Sequence, residues 1–199
     1  MSKLAVLLLA AGSSSRMGSP KQFLKWNNTT LLNHAINTVE QIDQNEIVLV
    51  LGANYEEINS KVDASDITII YNENWEKGLG NSIACGIKFI IESLPDIESV
   101  LIMLTDQPLI DSNFIIEMIK THQKNPNDII CTQYKNNKLG VPAIFNKNYF
   151  EELSYLNHDK GAKDILNKNP ENIIFISGKD LISDIDTIED YETLYKRFH

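Results

Sequence analysis

An unbroken apolar run, Leu4 to Ala11, empties into a bend made of Gly12, Ser13, Ser14 and Ser15, and this junction constrains the chain more than any other stretch. A run without polar alternation predicts a strand covered on both faces, the kind found in the parallel sheets of α/β proteins. The bend then carries Arg16, a second glycine at Gly18, and Lys21. Small side chains let main-chain N–H groups come close to phosphate oxygens, and a guanidinium and an ammonium answer their charge. The stretch therefore suits a polyphosphate. It is not a Walker loop, whose lysine directly follows the second glycine, nor the dinucleotide fingerprint G-x-G-x-x-G.

The same pattern recurs downstream. Apolar runs at Ile47–Leu51, Ile67–Tyr71, Val100–Leu104, Ile129–Thr132, Val141–Phe145 and Ile173–Ile176 predict further strands. Helical spacing separates many of them. Thr30 can cap a helix whose apolar face is Leu31, Leu32, Ala35, Ile36 and Val39. Gly78–Glu92 and Asp111–Gln123 repeat that spacing, the latter capped by Asp111 or Ser112, and Asp186-Thr187 opens a last helix from Ile188 to about Arg197. Strands alternating with helices predict α/β architecture with a mostly parallel central sheet, as one domain over residues 1–199. In such sheets ligands bind at the carboxyl ends of the strands. The bend after Ala11 and the segment after Leu104 both fall there.

Bulk properties exclude several classes. A net charge of −9 argues against a surface that coats nucleic acid. It does not argue against a small anionic substrate, because a local cluster of cations can oppose the global sign. Cys85 and Cys131 form no C-x-x-C pair, so a zinc site is not expected. The N-terminal apolar run is too short to span a bilayer, and no membrane partner is expected. The expected location is the cytoplasm, with both thiols reduced and buried.

Three further segments carry groups that can do chemistry. Leu101 to Pro108 reads LIMLTDQP, a buried strand ending in Asp106, with Pro108 stiffening the backbone beyond it. A carboxylate fixed at a strand end can hold Mg²⁺, and Asp106 can equally be a turn cap. Gly78 to Gly86 places Gly80, Asn81 and Ser82 at the start of a helix, where the chain can pass close to a ligand and offer N–H donors. Asp186, before the last helix, can bind a metal, cap the helix, or do both.

These segments resemble the MobA-like nucleotidyltransferases. LAAGSSSRMGSPK matches that family's opening signature, LTDQP its magnesium-binding aspartate motif, GLGNS its nucleotide-contacting segment, and DIDTIEDY its closing D-(I/V)-D-T-P-E-D-Y. Gly140-Val141-Pro142 resembles the family's acceptor-side G-x-P. NHDKGAKDIL resembles G-D-x-G-A-R-x-L-L, with Asn157-His158 in place of the usual small residue and Lys163 in place of arginine. The resemblance runs from Leu4 to Tyr191. It implies a three-layer α/β/α nucleotidyltransferase fold, Rossmann-like and GT-A-like, and transfer of a nucleoside monophosphate onto a phosphorylated acceptor with release of pyrophosphate.

LAAG rather than LAGG, together with LTDQP, implies the cytidylyl-transferring molybdopterin enzymes. PKQFL instead resembles methylerythritol-phosphate cytidylyltransferase, and a molybdopterin guanylyltransferase is a further alternative. The resemblance implies CTP as donor, Mg²⁺ as cofactor, a molybdopterin-type acceptor, and a molybdoenzyme or its chaperone as taker of the product. It implies catalytic roles for Arg16, Lys21 and Asp106. Nucleotide contacts are implied for Leu9, Ala10, Ala11, Gly12, Ser13, Ser14, Ser15, Arg16, Lys21, Gly80, Asn81 and Ser82, and metal ligation for Asp106 and Asp186. A glycosyltransferase, which would more usually show D-x-D at the strand end, and a nucleotide-binding module without turnover are the readings from other classes.

Overall fold

The computed structural model describes residues 3–42, 46–62, 66–159, 161–178, 181 and 184–199. In chain order the elements are β1 (Lys3–Ala10), β2 (Lys25–Trp26), β3 (Thr29–Thr30), α1 (Leu31–Glu40), β4 (Glu46–Leu51), α2 (Tyr55–Asn59), β5 (Ile67–Tyr71) and α3 (Leu79–Ser93). They continue with β6 (Ile97–Leu104), α4 (Ser112–Lys124), β7 (Ile129–Gln133), β8 (Leu139–Asn146), α5 (Phe150–Ser154), α6 (Lys163–Lys168), β9 (Ile173–Ser177) and α7 (Ile188–Phe198).

Each apolar run of the sequence is a strand of one seven-stranded sheet, ordered β5-β4-β1-β6-β8-β7-β9. β1 lies parallel to β4 on one side and β6 on the other. β4 continues parallel into β5, and β7 pairs parallel with β9. β8 is reversed, antiparallel to both β6 and β7. Periodicity cannot reveal that reversal, because a strand covered on both faces looks the same in either direction.

Helices cover both faces. Leu4, Val6, Leu8 and Ala10 point to a core shared with α1 and α4, through Leu32, Ile36, Val39, Phe114, Ile115 and Met118. Ala5, Leu7 and Leu9 point the other way, to Ile83, Ile87 and Ile90 of α3 and to Leu153, Ile165 and Leu166. Alternate residues of one strand thus feed two cores, which is why its sequence is apolar at every position from Leu4 to Ala10. Fully burying one such leucine or isoleucine contributes roughly 1.5–3 kcal/mol.

The helix starts follow the expected chemistry. Thr30 accepts from the Asn33 N–H at 3.2 Å, and Asp111 accepts from that of Phe114 at 2.9 Å. At α7 the cap is Thr187, which accepts from the Asp190 N–H at 3.1 Å while the Asp190 carboxylate accepts from the Thr187 N–H at 2.9 Å. This reciprocal box leaves Asp186 out of the capping role that the sequence also allowed.

A third, smaller apolar cluster joins the two ends of the chain. Met17 of the bend, Trp26, Leu31, Ile185 and Leu194 of α7 are buried together. The bend after β1 is therefore backed by α7, and the Tyr191 hydroxyl donates to the Lys25 carbonyl at 2.9 Å across the same contact.

Candidate active site

The carboxyl ends of β1, β4 and β6 meet at one rim. Beyond the strands, the Thr105 N–H donates to the Leu9 carbonyl at 3.3 Å and the Ala53 N–H to the Ala11 carbonyl at 3.0 Å. These bonds carry the sheet's order one residue past its edge. Above the rim opens a cleft of about 360 Å³. One wall is the bend, contributing Leu9 to Ser13, Lys21 and Gln22. The other comes from Trp75, Glu76, Gly78, Leu79, Ser82 and Asp159, and the floor from Leu104, Thr105 and Asp106.

The bend is shaped for an anion. Ser14 adopts the left-handed conformation, with φ of 54°, and its hydroxyl accepts from the Lys21 N–H at 3.0 Å. The Met17 N–H returns to the Ser14 carbonyl at 2.8 Å. Among the described residues, the N–H groups of Gly12, Ser13, Ser14, Ser15 and Arg16 find no acceptor in the protein. Successive free N–H groups in a tight turn form a concave donor surface for a polyanion. Gln22, almost fully buried, braces the bend from beneath: its Nε2 donates to the Ala10 carbonyl at 2.9 Å and to that of Gly12 at 3.3 Å.

Lys21 crosses the cleft and ion-pairs with Asp106. Its ammonium also donates to the Ile185 carbonyl at 3.3 Å, and the Ile185 N–H donates to the Asp106 carbonyl at 3.1 Å. One oxygen of the Asp106 carboxylate takes Lys21. The other, Oδ1, is buried and without a hydrogen-bond partner. Arg16 reaches Asp186, 3.4 Å from guanidinium nitrogen to carboxylate oxygen, with both side chains largely in solvent. The fold thus brings Arg16, Lys21, Asp106 and Asp186 into one constellation, from segments up to 170 positions apart (186 − 16).

Other residues marked in the sequence are placed differently. Ser13 and Ser15 also face an adjoining hollow beside Ala53, Tyr55, Tyr71 and Trp75. Asn81 lies outside the cleft and lines a separate hollow with Asn72, Asn74 and Lys88. The N–H groups of Gly80 and Asn81 are not free donors: they go to the His158 carbonyl at 2.8 Å and the Gly78 carbonyl at 3.1 Å. Gly80 is required by backbone contact, since a Cβ there would lie 2.8 Å from the Asn157 carbonyl oxygen. Ser82 does line the cleft, and its hydroxyl accepts from the Asn72 amide at 3.0 Å.

Sequence reasoning missed Gln22, Trp75, Glu76 and Asp159 as cleft residues. A buried glutamine directly after the predicted phosphate lysine was the readable signal. Asp159 stands at the aspartate of the matched G-D-x-G segment, but its place in the cleft was not readable, because it arrives from a distant loop. Also missed was the tie behind Asp106. The Gln107 amide donates to Asp184 at 2.7 Å and to the Tyr134 hydroxyl at 3.4 Å, while that hydroxyl donates to the Val141 carbonyl. Burial, opposed by the Gln107 hydrogen bond and reinforced by Asp184 and Asp106, pushes the Tyr134 phenol up to about 12. On the other side His34 reaches the Pro108 carbonyl at 3.0 Å. The turn after β6 is held from both flanks.

Among the described residues, no group of three or more His, Cys, Asp or Glu side chains is placed to hold a metal without help. Two carboxylates are enough for Mg²⁺ when phosphate oxygens and water fill its remaining positions. Asp106 offers a buried carboxylate oxygen without a partner, while Asp186, next to the Ile185 that bonds the Asp106 carbonyl, is exposed and paired with Arg16. No helix among the described residues is long and apolar enough to cross a membrane.

The chain is similar in fold and sequence to several known proteins. A protein of Mycobacterium sp. strain JC1, described as a homologue of M. tuberculosis Rv0371c, superposes with a TM-score of 0.82 at 28% identity, covering 98% of this chain and 96% of that one. Rv0371c from M. tuberculosis H37Rv, solved in complex with manganese, gives a TM-score of 0.78 at 22% identity, covering 98% of each chain. The bifunctional protein GlmU of Francisella tularensis subsp. novicida is 28% identical over 165 residues, 81% of this chain. The chain spans about a third of the length of such curated relatives, 34%. Residues 6–173, from the first strand to the start of β9, match the family described as the MobA-like NTP transferase domain. With a donor-lined bend, two cations and a strand-end carboxylate within that span or against it, the chain belongs to the MobA-like NTP transferase domain family.

Proposed function

We propose that this chain is a nucleotidyltransferase that moves CMP from CTP to the terminal phosphate of a molybdopterin-type acceptor and releases pyrophosphate. The observation that carries the reading is the row of unpaired N–H groups from Gly12 to Arg16, whose first residues, Gly12 and Ser13, line the same cleft as Lys21 and Asp106. The LAAG and LTDQP forms support cytidylyl transfer to molybdopterin among the reactions of the family.

The bend's N–H groups bind the triphosphate. Arg16 neutralises the β- and γ-phosphates and so stabilises the departing pyrophosphate. Lys21 lies against the α-phosphate, where charge redistributes as the bond to the acceptor forms. Trp75, Leu79 and Ser82 line the wall that encloses the nucleoside. The acceptor's own phosphate is the nucleophile, so the protein contributes position and electrostatics rather than a covalent intermediate. Asp106 and Asp186 would hold Mg²⁺, which when bound draws negative charge from the phosphates.

The test is a matrix of CTP, GTP, ATP and UTP against molybdopterin, its molybdenum-loaded form and methylerythritol phosphate, scored by pyrophosphate release with and without Mg²⁺. Release that requires CTP, Mg²⁺ and a molybdopterin acceptor is expected. Turnover with methylerythritol phosphate would move the chain to the isoprenoid reaction, and GTP preference to guanylyl transfer. No release with any pair would leave a binding module.

A further inference from the structure

We propose that Lys21 and Asp106 lock each other in the empty site, so that a triphosphate binds well only when a divalent cation takes Asp106 from Lys21. The inference rests on the reading that this cleft takes a triphosphate. Both side chains of the pair are mostly withdrawn from water, 19% and 13% exposed. Breaking such a pair by capturing one partner leaves the other charge buried and uncompensated, which costs far more than losing a surface ion pair.

The sign of the coupling follows from charge. A metal-free polyphosphate that captures Lys21 strands Asp106 as a naked carboxylate facing another anion. A cation that captures Asp106 without a phosphate strands the Lys21 ammonium in the same enclosed space. When both arrive, each charge exchanges one partner for another: Lys21 passes from carboxylate to phosphate, and Asp106 from ammonium to metal. Oδ1 of Asp106 gains a partner in that exchange. Arg16 and Asp186, also paired, are too exposed to contribute a comparable barrier. Asp106 therefore has two opposed effects: it repels and withholds Lys21 from the metal-free ligand, and it favours the metal-loaded one.

Calorimetric titration with inorganic tripolyphosphate separates these effects without any chemistry or base recognition. Four proteins are compared in EDTA and in excess Mg²⁺: wild type, Asp106→Asn, Asp106→Ser and Asp159→Asn. Asp159 lines the same cleft, so its variant removes an equal charge without freeing Lys21. Circular dichroism confirms that each is folded, and two substitutions at position 106 guard against one failing. In EDTA the Asp106 variants are expected to bind at least about tenfold tighter than wild type, and Asp159→Asn much less so. Adding Mg²⁺ should tighten wild type by a similar factor and the Asp106 variants little. Equal metal-free affinity in wild type and the Asp106 variants, or an equal gain in Asp159→Asn, overturns the exchange while leaving the triphosphate reading intact. Absence of binding by all four proteins under both conditions removes both.

Discussion

Arg16 and Lys21 are cations of the same bend with different surroundings, and their substitutions should separate. The Arg16–Asp186 pair is open to solvent, so Arg16→Ala should change unfolding free energy by no more than about 0.5 kcal/mol. Lys21→Ala leaves Asp106 without its partner and should lower stability by about 1–3 kcal/mol. Both should reduce kcat by about 10² or more. Urea unfolding and steady-state kinetics on the two variants check this, and wild-type turnover in either would remove its assigned role. Tyr134 gives a second prediction. An unfolded tyrosine titrates near 10, and this one is pushed up to about 12. Below pH 10 both states keep the proton. Between the two values the unfolded chain loses it first, so Tyr134 withdraws stability as pH rises through that window. Phenolate absorbance should show a late component near pH 12 that Tyr134→Phe removes. Residue roles were legible where a side chain acts beside its own sequence neighbours, as Arg16 and Lys21 do. The direct pairing of Lys21 with Asp106, the Gln107–Asp184–Tyr134 tie and the place of Asp159 in the cleft were not legible, because each depends on loops joined only in the folded sheet.

The elements explain why those partners meet. Strands and long helices could be read from apolar spacing, and Thr30 and Asp111 from capping chemistry. The short β2–β3 ribbon, with pairs Lys25–Thr30 and Trp26–Thr29, has too few residues to show a period. The reversal of β8 was equally hidden. The entry to α3 was misread in one respect: its first N–H groups serve the protein rather than a ligand. Gly80 donates there to the His158 carbonyl, against backbone that has no room to retreat. Gly80→Ala should therefore cost about 1–3 kcal/mol despite alanine's better helix propensity. It should also raise KM for the nucleotide, because Leu79, Ser82 and Asp159 shift with that contact. Denaturant midpoints together with KM and kcat would show it; a variant as stable as wild type would mean that the loop yields.

At the scale of the whole molecule, the first and last parts of the described chain build one site. Ile185 is fully buried between the Asp106 backbone and the Lys21 ammonium, and Leu194 covers Met17 behind the bend. Deleting residues 188–199 should expose Met17, Trp26 and Leu31, lower the melting temperature, and abolish tripolyphosphate binding even though neither Arg16 nor Lys21 is removed. Retained binding in the shortened chain would show that the bend holds its shape unaided. This closure also sets a timetable for synthesis. The ribosome releases the phosphate bend about 160 residues before the segment that backs it (185 − 21 = 164). Over that interval the nascent polypeptide holds basic side chains with no finished receptacle around them, and nucleotide from the cell cannot stabilise it until α7 has emerged.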